Sequence, residues 1–136
     1  LLLYLTRLPL AQCPQMDAVG ALVELFPHGD TCGKAAGIAM EDELSGALTL
    51  AFSMLTVSSD SLEGVFDSRC PICSNEDNVL KAVKQNMAAK GLTLENETMV
   101  PPHHVDGNSH FVRTLLAVYE EYTGLKGSCE STGGGT

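Results

Sequence analysis

Residues 47–57 carry an apolar residue at every second position, and only Ser58-Ser59-Asp60-Ser61 separates them from a second strand-like run, residues 62–69. In the first, Leu48, Leu50, Phe52 and Met54 share one side. A repeat of two belongs to a strand with one buried face. A short turn rich in serine and aspartate between two such strands closes a β-hairpin. The second strand runs to Arg69, and Pro71 stops it, because proline has no N–H to give a ladder. An isolated hairpin is marginal in water, so its apolar face must be covered by other elements.

The covering elements read as helices. Residues 1–7 look like the last turns of one, closed by Pro9. Residues 16–26 place Val19, Leu22, Val23 and Phe26 at helical spacing, with Pro27 as terminator. Residues 75–90 line up Val79, Leu80, Val83 and Met87; Ser74 or Asn75 can cap the start and Gly91 the end. Residues 109–123 turn Phe111, Leu115, Leu116, Tyr119 and Tyr122 to one side, expected to be the inward side, with Gly124 following as the C′ residue. Residues 28–37 read as a loop and 41–46 as a polar turn. Residues 92–100 read as a further strand before Pro101-Pro102, and 126–131 as a last strand leading into Gly133-Gly134-Gly135-Thr136. This order implies an α+β fold, with helices packed on one face of an antiparallel sheet and a C-terminal helix and strand beyond it. Hydrophobic residues make up 44% but aromatics only 5%, with no Trp, so the core must be mostly aliphatic.

Charge narrows the partners. Seventeen acids against eight bases give −9, a poor match to nucleic acid or to an anionic membrane, since both are held by cations. The apolar opening Leu1-Leu2-Leu3-Tyr4-Leu5 is far too short to span a bilayer. Five irregularly spaced cysteines do not make a disulfide framework and suit a reducing cytoplasm. A chain that begins mid-run on Leu1 and ends on a glycine loop reads as a piece of something longer.

Chemistry-bearing groups are few. Arg69 at a strand tip offers a planar fork that matches a carboxylate two-to-two. The C-terminal glycines let backbone N–H groups approach an anion. Together, Arg69 with Gly134, Gly135 and Thr136 reads as a carboxylate-holding device, although an arginine two residues after Asp67 also suits a surface ion pair. Cys70-Pro71-Ile72-Cys73 has the spacing of a redox dithiol or of half a zinc site, but no second ligand pair accompanies it. Two small buried residues flanking a strand stop explain it better. His28, His103, His104 and His110 lack metal-ligand spacing and read as loop residues. Glu41-Asp42-Glu43, Glu95 and Glu97 read as solvated turns and strand faces. No nucleophile elbow or phosphate loop is present.

Phe66-Asp67-Ser68-Arg69-Cys70-Pro71 resembles the hydrophobic-Asp-x-Arg-x-Pro strand in the smaller domain of di-zinc exopeptidases, the carnosinase and aminoacylase type. Phe26-Pro27-His28-Gly29-Asp30, Gly33-Lys34, Gly37-Ile38, Glu41-Asp42 to Gly46 and Leu48-Thr49 are similar to the bacterial dipeptidase V branch. So are residues 111–120, Tyr122-Thr123-Gly124 and the terminal glycine run. The resemblance implies a ferredoxin-like lid, lacking its first strand, over residues 1–102, and the return into a catalytic domain over 103–136. It implies two zinc ions in the full-length protein, with ligands, general base and lid histidine all outside this segment and no metal in the segment itself. Arg69 and the Gly134-Gly135-Thr136 loop would grip the carboxylate of a dipeptide substrate, with the catalytic domain in cis and a homodimer through the sheet edge as a further possible partner. Ala51 departs from the polar residue many relatives have in that strand. Two alternatives remain open: a small thiol oxidoreductase using Cys70 and Cys73, and a non-catalytic dimerisation module.

Overall fold

The computed structural model describes residues 1–131. Helix α1 (Leu2–Leu5) is a single turn, and α2 (Pro14–Leu25) follows with proline in its first turn. Two two-residue strands, β1 (Glu41–Asp42) and β2 (Gly46–Ala47), pair across the polar turn. The hairpin comes next as β3 (Thr49–Val57) and β4 (Leu62–Arg69). A helix then starts with a π-wound segment, Glu76–Lys81, and continues as α3 (Ala82–Ala88). Last comes α4 (His110–Thr123). The class is α+β as expected, but the strands form two small antiparallel sheets rather than one.

The hairpin register explains the core. Leu50 faces Ser68 and Phe52 faces Phe66 on the inner side; Thr49 faces Arg69 and Ala51 faces Asp67 on the outer side. The pattern of two then breaks. A register shift between Phe52 and Met54 inserts Ser53 as a bulge, and its Oγ donates to the Val65 carbonyl at 3.1 Å. One inserted residue exchanges the faces beyond it. Met54, expected inward, is therefore 62% exposed, and Leu55 takes the half-buried place.

Leu25, Ala36, Ile38, Leu48, Leu50, Val79, Val83 and Met87 make one aliphatic cluster. It joins the end of α2, the 30–40 loop, the start of β3 and the face of α3 predicted from its periodicity. Phe26 seals it at the hairpin, with ring centroids 5.2 Å from Phe52 and 5.1 Å from Phe66. Gly64 makes room for this, because a Cβ there would stand 2.7 Å from the Phe52 ring. Asn75 caps the π-wound start, accepting from Asp77 N and Asn78 N, while the Asn78 side chain accepts from Asn75 N.

Three expectations need correction. Residues 92–100 form no strand, yet Leu92, Leu94 and Met99 pack on the core without a ladder. Residues 126–131 also form no strand. Helix α4 has the expected caps, with Ser109 Oγ accepting from Val112 N and Gly124 left-handed at φ 68°. Its apolar side is not inward, however: Phe111, Leu115, Tyr119 and Tyr122 are exposed and only Leu116 is half-buried.

Candidate functional site

Arg69 occupies the last rung of the hairpin ladder, on the outer face with Thr49, Ala51 and Asp67. Its side chain is exposed, and among the described residues it has neither an ion-pair partner nor a side-chain hydrogen bond. Asp67, two residues back on the same face, does not hold it. The surface ion pair is thus not formed, and the guanidinium is available to an outside anion. Gly134, Gly135 and Thr136, the other half of the expected device, lie outside the described residues.

The segment just past Arg69 is held by a turn some thirty residues earlier in the chain. Asp42 Oδ1 accepts from Leu44 N at 2.9 Å and Ser45 N at 2.6 Å. Its Oδ2 accepts from Ser45 Oγ at 2.7 Å and from Cys73 N at 3.2 Å. Ser45 Oγ in turn accepts from Ile72 N at 2.9 Å. The Ser45 backbone and hydroxyl bonds, reinforced by Cys73 N and Leu44 N, hold the Asp42 carboxyl well below the usual carboxylate range. Ser131, the last described residue, donates its hydroxyl to the Leu44 carbonyl of this same turn. The exit of the arginine's strand and the approach to the glycine run therefore converge on residues 42–45.

Sequence reasoning filed Glu41-Asp42-Glu43 as a solvated charge run and missed this role. The available signal was Asp42-x-x-Ser45-Gly46. Asp with Ser three residues on is a side-chain-capped turn, and Gly46 supplies the left-handed residue, φ 78°. A second such loop surrounds Asp30, two residues after His28. Its carboxylate accepts from Ala35 N at 2.8 Å, Cys32 N at 3.1 Å and Lys34 N at 3.2 Å, which lowers its pKa to about 2. Its oxygens are committed to the loop.

Cys70 is half-buried and Cys73 exposed, and the Cys73 thiol lacks the electrostatics of a reactive thiolate. Partial desolvation, with the charge and hydrogen bond of Asp42 added, pushes the Cys73 thiol up. A nucleophilic thiolate needs the opposite. All five cysteines are free. Among the described residues, no group of three His, Cys, Asp or Glu side chains is placed to hold a metal ion, and no helix is long and apolar enough to cross a membrane.

The geometry defines a small α+β unit that presents an unpaired cation at a strand tip. No family model matches it. The Beta-Ala-Xaa dipeptidase of Lactobacillus delbrueckii subsp. lactis is 33% identical over 110 residues, which is 80% of this chain and 23% of that protein. YtjP of Bacillus subtilis (strain 168), provisionally named a dipeptidase, is 36% identical over 109 residues, 79% of this chain and 23% of that protein. Over about four fifths of its length the chain is thus similar in sequence to two proteins named as dipeptidases. It spans about a quarter of the length of the curated relatives it matches.

Proposed function

We propose that this chain is the substrate-orienting lid segment of a zinc-dependent dipeptidase, a cytoplasmic hydrolase of short peptides with a free C-terminal carboxylate. Residues 1–102 form most of the lid, and residues 103–136 return into the catalytic domain in cis. The observation that carries the reading is Arg69, without an ion-pair or hydrogen-bond partner for its side chain among the described residues, on the outer face of the hairpin in a chain similar to dipeptidases.

The described residues do not fit a zinc centre, since their potential ligands do not converge. The two zinc ions of the proposed enzyme are held by residues outside this segment, where they supply the Lewis-acid chemistry of peptide hydrolysis. The work of this segment is positional. Arg69 grips the carboxylate end-group, and the Gly134-Gly135-Thr136 loop meets the same group from the catalytic side. Holding one end of a dipeptide places its peptide bond at a fixed distance from the reacting centre. It also rejects longer chains, whose carboxylate lies elsewhere.

The test is Arg69→Ala in the full-length protein. A bidentate, charge-assisted contact is worth about 1.5–3 kcal/mol, so kcat/KM for dipeptides should fall by roughly tenfold to a hundredfold or more. C-terminally amidated dipeptides, already poor substrates, should lose little. Unchanged dipeptide turnover in the variant refutes the assignment.

A further inference from the structure

We infer that Asp42 and Ser45 are positioning residues for Arg69, a role that rests on the proposed grip of Arg69 on a carboxylate. The hairpin ladder ends at the Thr49–Arg69 pair, so no rung lies beyond the arginine to hold its backbone. Pro71, two residues on, has no N–H with which to extend pairing. Among the described residues the side chain itself has no ion pair or hydrogen bond that would orient it. The strand exit is fixed by the hydroxyl of Ser45 on Ile72 N and the carboxylate of Asp42 on Cys73 N. These are long-range bonds that join two otherwise separate turns.

The small β1–β2 ladder makes the clamp stiff. It pairs Asp42 with Gly46 and Glu41 with Ala47, and the next residue, Leu48, is completely buried. Leu48 N also donates to the Met40 carbonyl at 2.8 Å. The clamp is thus rooted in the core on one side and grips the arginine's strand on the other. Its Leu44 carbonyl receives Ser131 Oγ as well, so one turn references both the strand tip and the segment that leads to the terminal glycines. A carboxylate ligand shared between two parts of a chain needs them in register to within a fraction of an ångström, and residues 42–45 are placed to set that register.

The test is a double-mutant cycle in the full-length protein. Ser45→Ala should lower kcat/KM for free-carboxylate dipeptides by about threefold to tenfold, as expected for one hydrogen bond. Ser45→Thr, which keeps the hydroxyl, should restore most of it. In the Arg69→Ala background, Ser45→Ala should have no further effect, because the residue it positions is gone. An equal loss in both backgrounds means a general structural role and overturns the inference while leaving the function of Arg69 intact. If Arg69→Ala alone changes nothing, the functional reading fails and this inference falls with it. Amide hydrogen exchange at Ile72 and Cys73 gives a readout independent of activity: both amides should exchange faster in Ser45→Ala, and unchanged protection overturns the clamp itself.

Discussion

Replacing Asp30 with asparagine removes one charge from a loop whose shape depends on it. Both carboxylate oxygens are used, Oδ2 by Ala35 N and Oδ1 by Cys32 N and Lys34 N. The loop they shape delivers Ala36 and Ile38 to the core at 0% and 1% exposure. These bonds lower the carboxyl from 3.8 to about 2, the Ala35 amide acting most strongly. Taken whole, that difference corresponds to about 2.4 kcal/mol. Asp30 is only half-buried and water screens it, so about 1 kcal/mol is the expected share. Proton linkage sets the sign. A carboxyl that is more acidic when folded contributes fully above its unfolded pKa, and the contribution disappears as pH falls through its folded value. Urea titrations of Asp30→Asn against the parent should therefore show a loss of about 1 kcal/mol at neutral pH that shrinks below about pH 4 and closes near pH 2. The carboxyl carbon of Asp30, followed by NMR, should titrate near 2 in the folded chain. A stability gap that stays constant with pH, or an NMR midpoint at the ordinary aspartate value, would falsify the premise that these amide bonds stabilise the anion.

Other perturbations separate core, backbone and surface. Leu48→Ala, at a completely buried site, should cost about 2–5 kcal/mol in urea denaturation. Gly37 has φ 75°, and a Cβ there collides with Asn86 Nδ2, which donates to the Ala36 carbonyl at 2.9 Å. Gly37→Ala should therefore cost about 2 kcal/mol from left-handed strain and the disturbed bond together. The exposed pairs Lys90–Glu24 and Lys84–Glu97 should matter little, each charge-neutralising variant staying within about 0.5 kcal/mol of the parent. Cys73 should be alkylated more slowly than an unstructured cysteine near pH 8, because its thiol is pushed up; rapid labelling would revive the oxidoreductase alternative.

Where local chemistry decided the outcome, the sequence could be read directly. Strand β4 ends at Arg69 because Pro71 ends it, and α4 ends at Thr123 because Gly124 takes the left-handed position. The α3 face is right because its helical repeat is strong and one layer covers it. The failures share a cause: each depended on a partner that the local pattern cannot specify. Phe52-Ser53-Met54-Leu55 consists of acceptable strand residues, so nothing marks Ser53 as the inserted one. Leu92, Leu94 and Met99 turn inward, but a strand also needs a ladder, and residues 92–100 pair with neither edge of the β3–β4 hairpin. The period of α4 defines an apolar stripe without saying what will cover it. The Asp42 turn was hidden for another reason. A row of acids looks solvated until one of them is found to collect the Cys73 amide, 31 residues on.

The exposed face of α4 and the outer face of the hairpin are best understood together. A chain of this size would ordinarily bury Phe111, Leu115 and Tyr119, and leaving them exposed is costly unless another surface receives them. Under the proposed function that surface is the catalytic domain in cis, and α4 is where residues 103–136 return to it. The same arrangement accounts for the hairpin's division of labour. Its inner face builds the aliphatic cluster with α3, so it cannot also meet a substrate. Its outer face carries Thr49, Ala51, Asp67 and Arg69, small or polar near the ladder's end. Farther out on the same face, the paired Met54 and Val65 are 62% and 50% exposed. That change, polar at the arginine and apolar at the Met54–Val65 pair nearer the tip, fits a lid whose near end admits a charged ligand and whose far end packs against protein. Salt can separate the two ends. Raising ionic strength should weaken carboxylate capture at Arg69 and leave or strengthen apolar packing at the tip, so KM for dipeptides in the full-length protein should rise with salt while its thermal midpoint does not fall. A higher KM accompanied by a lower thermal midpoint would mean that the lid is held closed by charge, contrary to the division drawn along the hairpin's outer face.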